Sequence, residues 1–293
     1  MQNFYWYLIC TLQKVFQALP HKAAVRLGSF LGSIMWLVCK RRVDKAEARC
    51  VRVMGVGCTT ARKIVLGSYR NIGRAFAETI RLPKIADHVE DYVRMIHSEY
   101  LDEAVKKGKG VILLLGHLDN WEIANIFTCR KGYRLHVLQA NQRDERINDL
   151  LMQIRSIAGA HNVRKGAGLK GAINCLRKGD ILCVLHDQDA KEKGLVVPFL
   201  GEPASSPIGI IKLAAKFGSE VLPAHIYRLE DGFTHMIDFE PPLRDPSGVQ
   251  FGVNEEVSLT MCNDRISDWI RQRPDQWLIW LYPRWASTVP GDK

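Results

Sequence analysis

The sequence has no Cys-x-x-Cys pair: its eight cysteines (10, 39, 50, 58, 129, 175, 183 and 262) are scattered. That spacing excludes a zinc ribbon or a thioredoxin-type motif. Several of these cysteines sit in apolar runs such as 181–185, where they act as small hydrophobes. Such usage fits a reducing cytosol better than a disulfide scaffold. No two histidines stand at helical i, i+4 spacing, so the zinc-protease pattern is missing and no metal ligand set is expected. No apolar run reaches the roughly 20 residues of a confident spanning helix. No basic stretch precedes the apolar start and no small-x-small site ends it, which argues against a secretory signal peptide. Nucleic-acid-binding motifs are absent, so nucleic acid ranks last among partners. Internal repeats and long linkers are also absent, leaving one substantial domain with an appendage.

What is present begins with charge. Lys plus Arg exceed Asp plus Glu by 41 to 31 in 293 residues. A basic surface favours anionic membranes or an acidic protein partner. Residues 1–39 are unusually apolar, with Leu27, Phe30, Leu31, Ile34, Leu37 and Val38 at helical spacing and Gly28, Ser29, Gly32 and Ser33 on one face. Lys40, Arg41 and Arg42 follow directly. The expectation is a membrane-associated helical segment over 1–42, with the basic triplet at lipid headgroups, and a catalytic domain over 43–293. A helical hairpin packed on the protein's own core is the competing reading.

The stretch with the most chemistry is 111–122. Val111-Ile-Leu-Leu-Leu115, bounded by Gly110 and Gly116, reads as a strand buried on both faces. Gly116 permits a sharp turn, and Asp119 or Asn120 is placed to cap a helix beginning near Trp121. His117 thus sits at the carboxyl end of a buried strand, where ligands bind in open α/β sheets. A neutral imidazole takes a proton from a hydroxyl at physiological pH. A carboxylate at Glu122 would orient the ring and stabilise the imidazolium. No obvious Ser or Cys nucleophile lies beside them, so the hydroxyl would be the substrate's own. The same residues also fit a plain capping box, with Glu122 bonding back to the Asp119 amide. Spacing alone leaves the two readings even.

Gly116-His117-x-x-Asn120-Trp121-Glu122 after a buried strand resembles the His-x4-acid signature of glycerolipid acyltransferases. It is most similar to that of the bacterial lipid A late acyltransferases, which add lauroyl or myristoyl chains. Later segments extend the resemblance to about residue 285. Arg155 matches a second arginine of that family, whereas the first stands as Asn141 here, with Arg143 two residues on. Asp187 and Asp189, after the apolar run 181–185, match the family's Asp-x-Asp and are expected in the cleft, positioning Arg155 or sugar hydroxyls. Pro198 and Phe199 match a Pro-Phe-Phe-Gly block, an apolar loop suited to an acyl chain or a glycolipid acceptor. Gln276-Trp277 through Arg284-Trp285 resembles the family's Trp-rich end, and Trp277 is also expected to seal the core.

Other segments carry weaker expectations. Ser206 fits a helix N-cap with Pro207 at the first helical position, where free amides would hold an acceptor phosphate. Gly166-x-Gly168-x-x-Gly171 resembles a dinucleotide fingerprint, but residues 158–165 lack the preceding strand it requires, so nucleotide binding is set aside. Alternating residues over 221–229 and 234–239 predict a hairpin, and 253–273 a helix. Buried strands alternating with helices predict an α/β class with a central, mostly parallel or mixed sheet.

The resemblance implies an O-acyltransferase on the cytoplasmic face of the inner membrane. It would move a fatty acyl chain from acyl carrier protein to a hydroxyl of a lipid A precursor, with His117 as base, Glu122 as its partner and no cofactor. Two alternatives stay open: an acyl-CoA-dependent enzyme acting on another glycolipid such as phosphatidylinositol mannoside, and a non-catalytic membrane-associated lipid-binding module.

Overall fold

The computed structural model describes residues 2–139, 144–157, 161–164 and 168–292; the side chains of 2–5, 139, 151, 155, 161–164 and 168 lie outside that description. Four helices come first: α1 (Gln2–Ala18), α2 (His21–Val38), α3 (Lys40–Met54) and the long α4 (Cys58–Ile85). β1 (Val93–Ile96), α5 (Ser98–Lys106), β2 (Val111–Leu115), α6 (Trp121–Arg130) and β3 (Leu135–Gln139) follow. Then come α7 (Glu145–Ser156), β4 (His161–Arg164), α8 (Gly168–Arg177), β5 (Ile181–Leu185), β6 (Leu195–Phe199) and β7 (Glu202–Ser206). α9 (Gly209–Phe217), β8 (Glu220–Arg228), β9 (His235–Phe239) and α10 (Glu255–Gln272) complete the described elements, before short 3-10 turns at the Trp-rich end.

The main sheet runs β1-β9-β8-β2-β5-β3-β4, parallel throughout except where β8 and β9 form the expected antiparallel hairpin. The α/β class with a mixed central sheet is therefore observed. Alternation along each strand divides the core in two. Ile112, Leu114, Leu182 and Val221 point into one apolar cluster, with α8, α9, α10 and the C-terminal tryptophans. Val111, Leu113, Ile181, Cys183 and Leu222 point into the other, with α5 and α6. Strands buried on both faces are why these runs are continuously apolar.

α2 lies along α4 through its small residues. A Cβ on Gly28 would sit 2.3 Å from the Gly73 carbonyl oxygen, and one on Gly32 would sit 2.2 Å from that of Tyr69. The opposite face of α2 leaves Phe30, Ile34, Met35, Leu37 and Val38 exposed. Among the described residues no single helix is long and apolar enough to cross a membrane; α2 and α3 together would be, but they meet at a bend of 94°.

Three expectations change. Residues 195–206 form an antiparallel two-stranded ribbon rather than an apolar loop and a helix cap. Val196 and Pro198 are exposed while Val197 and Phe199 are buried. Leu200 and Gly201, at φ 52° and 88°, make the primed turn that two-residue hairpins favour. Ser206 is thus the last residue of β7, and α9 begins at Gly209 with Ile208 as its cap. The strand thought missing before the Gly166–Gly171 motif exists as β4, since β3 supplies its main-chain partners. Residues 165–167 of that motif, like Asn141 and Arg143, lie outside the described residues.

Candidate active site

β2 and β5 are parallel neighbours with Leu115 opposite Leu185. The His186 amide donates to the Leu115 carbonyl at 2.9 Å, continuing the ladder past both strands. Two residues beyond each register partner stand His117 and Asp187. Sheet register alone therefore brings imidazole and carboxylate face to face at the carboxyl edge.

Their contact is close. His117 Nδ1 lies 2.5 Å from Asp187 Oδ1, and the His117 amide donates to Asp187 Oδ2 at 2.7 Å. Trp277 Nε1 donates to the same Oδ2 at 2.8 Å. Asp187 is fully buried. Burial by itself would raise its pKa, but the facing His117, these donated bonds and Trp277 outweigh it and hold the carboxyl at about 2. An ionised Asp187 places the ring proton on Nδ1 and leaves the Nε2 lone pair facing outward. Gln188 Nε2 lies 3.5 Å from that Nε2, too far for a firm bond. The His117 side chain is 13% exposed, so its outer nitrogen is reachable while its inner one is sealed.

The ring partner expected at Glu122 is thus Asp187. The reason is geometric: His117 Nδ1 turns inward over β5, whereas Glu122 belongs to the first turn of α6. Its carboxylate instead accepts from Trp121 Nε1 at 3.1 Å. The Trp121 ring meets the His117 ring edge-on, with centroids 4.8 Å apart. Glu122 therefore reaches the imidazole by way of the indole it holds. The capping box fails as well. Asn120 is the N-cap, accepting from the Glu122 and Ile123 amides at 3.1 and 3.3 Å, and the Asp119 amide is taken by the Gln276 carbonyl at 2.9 Å. Gly116 is needed for room rather than for a left-handed turn: a Cβ there would lie 2.8 Å from Leu118 Cδ1 and 3.5 Å from Asp187 Oδ2. Asp119 takes the left-handed conformation, at φ 41°.

The other expected residues divide. Asp189 lies on the loop after β5, but its carboxylate accepts from the Lys191 amide and from Ser287 Oγ. Arg155 belongs to α7, and its side chain is outside the described residues. Pro198 is exposed on β6. Phe199 is fully buried against Trp277 and Trp285, so it is core rather than a surface an acyl chain touches. Ser206 is equally buried and accepts from Arg284 Nη2 at 2.7 Å and from Asn263 Nδ2 at 2.9 Å. Both residues are held inside because the β6–β7 ribbon packs on α10 and the Trp-rich end.

Two contributors escaped sequence reasoning. Arg284 is buried, donates to the Ser205 carbonyl at 2.7 Å and stacks over Phe199. Burial pulls its pKa down to about 10 against the attraction of Asp187 and Asp189, so a fixed cation stands behind the dyad. Trp277 was foreseen as packing; its bond to Asp187 was not. An aromatic-rich end after α10 was the available signal, but nothing in it named Asp187. A narrow void of about 20 Å³, room for about one water, lies between α6 and the sheet, bordered by Gly116, Trp121, Ala124, Leu113, His225 and Ile226. No cluster of three or more metal-ligating side chains occurs among the described residues.

An imidazole fixed by a buried carboxylate is equipped to take a proton from a hydroxyl. Comparison with known proteins gives the chemistry a family. Phosphatidylinositol mannoside acyltransferase of Mycobacterium tuberculosis is 25% identical over 256 residues, covering 84% of this chain and 78% of the relative. The Mycolicibacterium smegmatis protein of the same name is 22% identical over 236 residues, 78% of this chain and 75% of its own length. A lipid A biosynthesis acyltransferase of Haemophilus influenzae is 23% identical over 198 residues, 66% of this chain and 59% of its own. The family described as bacterial lipid A biosynthesis acyltransferase matches residues 2–287. With that match spanning almost its whole length, the chain belongs to the bacterial lipid A biosynthesis acyltransferase family.

Proposed function

We propose that this acyltransferase moves a fatty acyl chain from acyl carrier protein to a hydroxyl of a lipid A precursor, at the cytoplasmic face of the inner membrane. The single observation that carries the chemistry is the His117–Asp187 contact at 2.5 Å. His117 Nε2 removes the proton of the acceptor hydroxyl as its oxygen attacks the thioester carbonyl. Asp187 keeps the ring in the reactive tautomer and stabilises the imidazolium. The tetrahedral adduct collapses, the carbon–sulfur bond breaks, and the thiolate recovers the proton from His117. Glu122 acts behind Trp121, and Arg155 and Asp189 are assigned to the polar acceptor.

Two features support the location. The exposed apolar face of α2 ends at Lys40, Arg41 and Arg42, a pattern that lies in the headgroup layer rather than across the bilayer. The net charge of +10 attracts both anionic lipid and an acidic carrier protein. A second reading rests on the mycobacterial relatives, which cover more of the chain than the Haemophilus one. In it the acceptor is a phosphatidylinositol mannoside and the donor an acyl-CoA.

The test offers the purified full chain acyl carrier protein or coenzyme A thioesters, with a lipid A precursor or a phosphatidylinositol mannoside. Mass spectrometry then reads the acceptor. One added acyl chain on the lipid A precursor with the carrier-protein donor is expected. Transfer only to the mannoside selects the second reading. No transfer and no thioester hydrolysis with any pair would leave a non-catalytic lipid-binding module.

A further inference from the structure

Four charged side chains that the proton relay does not use are sealed together behind the catalytic turn. Arg228, at the end of β8, donates from Nη1 to Glu78 Oε1 at 2.5 Å and from Nη2 to Glu78 Oε2 at 2.9 Å. Its Nη2 also donates to Asp119 Oδ1 at 2.8 Å. His235, at the start of β9, bonds through Nδ1 to Asp119 Oδ2 and approaches Glu78 Oε1 through Nε2 at 3.3 Å. Glu78 and His235 side chains are wholly buried, as is Asp119, and Arg228 is 2% exposed. Two anions facing two cations make the group neutral. Burial opposes His235's charge, yet the carboxylates of Asp119 and Glu78 raise its pKa to about 9, so the ring stays charged.

A buried ionic group is poor evidence of stability, because apolar residues of equal volume usually serve as well. What such a group does provide is a fixed geometry. Here it converges on the turn that carries His117. Asp119 is two residues from the base and is the one held left-handed. Asn120, which caps α6, donates to Glu78 Oε2 at 3.1 Å. Gln276 pairs with the Arg228 amide and carbonyl, while its own carbonyl takes the Asp119 amide. The Leu278 amide donates to the His117 carbonyl at 2.9 Å. α4, β8, β9 and the C-terminal segment are thereby tied to one four-residue turn.

We propose that Glu78, Asp119, Arg228 and His235 are positioning residues for acyl transfer: their buried, charge-balanced quartet sets the turn that presents His117 to Asp187. The kinetic part of this proposal rests on the acyltransferase reading above. The geometric part does not, because the shared His117–Asp187 proton reports the alignment without substrate.

The test uses the full chain and the variants His235→Gln, Asp119→Asn and the pair together. Two readouts are taken at a temperature where thermal melts show each protein folded. One is the downfield proton resonance of the His117–Asp187 bond, identified by its loss in His117→Gln. The other is kcat and KM separately. His235→Gln leaves an unbalanced buried anion. It is expected to shift or broaden the resonance and lower kcat about 10- to 100-fold with KM unchanged. Adding Asp119→Asn restores neutrality and is expected to return both readouts to within a few-fold of wild type. A resonance and kcat untouched by His235→Gln would overturn the proposal, and so would losses that merely add in the pair, as packing defects do. If His235→Gln alone does not fold, the pair decides: a folded protein with the wild-type resonance supports the quartet, and an unfolded or displaced one refutes it. A wild-type chain that shows the resonance but transfers no acyl group would sink the acyltransferase reading, while the resonance comparison would still judge the positioning.

Discussion

A single imidazole does the work assigned to this chain, and its partner is the residue to test first. Asp187→Asn keeps an acceptor for Trp277 but lets the ring adopt the wrong tautomer. In the Ser-His-Asp enzymes the equivalent exchange costs about 10^4 in kcat, and a fall of that order is expected in steady-state assays, with the melting temperature lowered by several degrees as the ionised carboxylate's contribution is lost. His117→Ala should remove transfer altogether. Glu122→Gln should do much less, since an amide oxygen still accepts from Trp121 Nε1. Equal losses for Glu122→Gln and Asp187→Asn would return the carboxylate role to Glu122. The sequence supplied His117 from its setting, a polar residue just past a doubly buried strand. It could not choose between two acidic residues, one 5 positions away and one 70, because the choice depends on which strand lies alongside.

At the scale of elements, one close approach and one exposed face carry the argument. α2 and α4 meet at backbone distance through Gly28 and Gly73. Gly73→Val would have to force them apart, since its Cβ would fall 2.0 Å from the Gly28 carbonyl oxygen. Overpacking of this kind costs about 1–3 kcal/mol, which urea titration would register as a lower midpoint. The outer face of α2 makes a separate prediction. Replacing Phe30, Leu37 and Val38 with Ser should weaken flotation with anionic vesicles while the melting temperature holds, because these side chains are exposed in the fold. Undiminished flotation would move the membrane contact elsewhere. The helical periodicity of 23–39 was visible in sequence, and so was its small-residue face. Which face would turn inward was not, since that needed α4 as a partner. Residues 195–206 show the opposite failure: Ser206-Pro207 looked like a helix start, but pairing across Leu200-Gly201 gave that backbone a ribbon to join.

For the molecule as a whole, buried titrating groups set a pH window. Asp187 is held at about 2 against an ordinary 3.8. Its contribution is present above the ordinary value and is lost as pH falls from about 4 towards 2. That amounts to about 2 kcal/mol at 1.36 kcal/mol per unit. His186 and His225 are pushed down from 6.5 to about 4, chiefly by burial. Unfolded, they take protons first, so stability declines as pH drops from about 6.5 towards 4. His235 has the reverse sign: raised to about 9, it stabilises fully below 6.5, and that contribution is lost as pH rises through 9. Thermal melts across pH should therefore peak near about pH 6.5 and decline on the alkaline side up to about 9, with that alkaline decline removed in the His235→Gln, Asp119→Asn pair. A decline that persists in the pair would assign it to other groups.

The sequence by itself determined the class, the buried central strands β2 and β5 and the candidate histidine after β2, because those depend on local apolar patterning and on residue types fixed at strand ends. Alternation of buried strands with helices admits few architectures, and a histidine at the carboxyl edge of a buried strand keeps its chemistry wherever the sheet is laid. Tertiary structure alone decided the partners. Asp187 faces His117 because β5 pairs with β2 in a register no local pattern specifies. Trp277 reaches Asp187 because the chain's last turns fold back over the dyad. Arg228 and His235 meet Asp119 because β8 lies between β9 and β2 in the sheet, and Glu78 joins them from α4. Electrostatic pairing acts across a few ångströms of space, whereas sequence patterns record only neighbours along the chain.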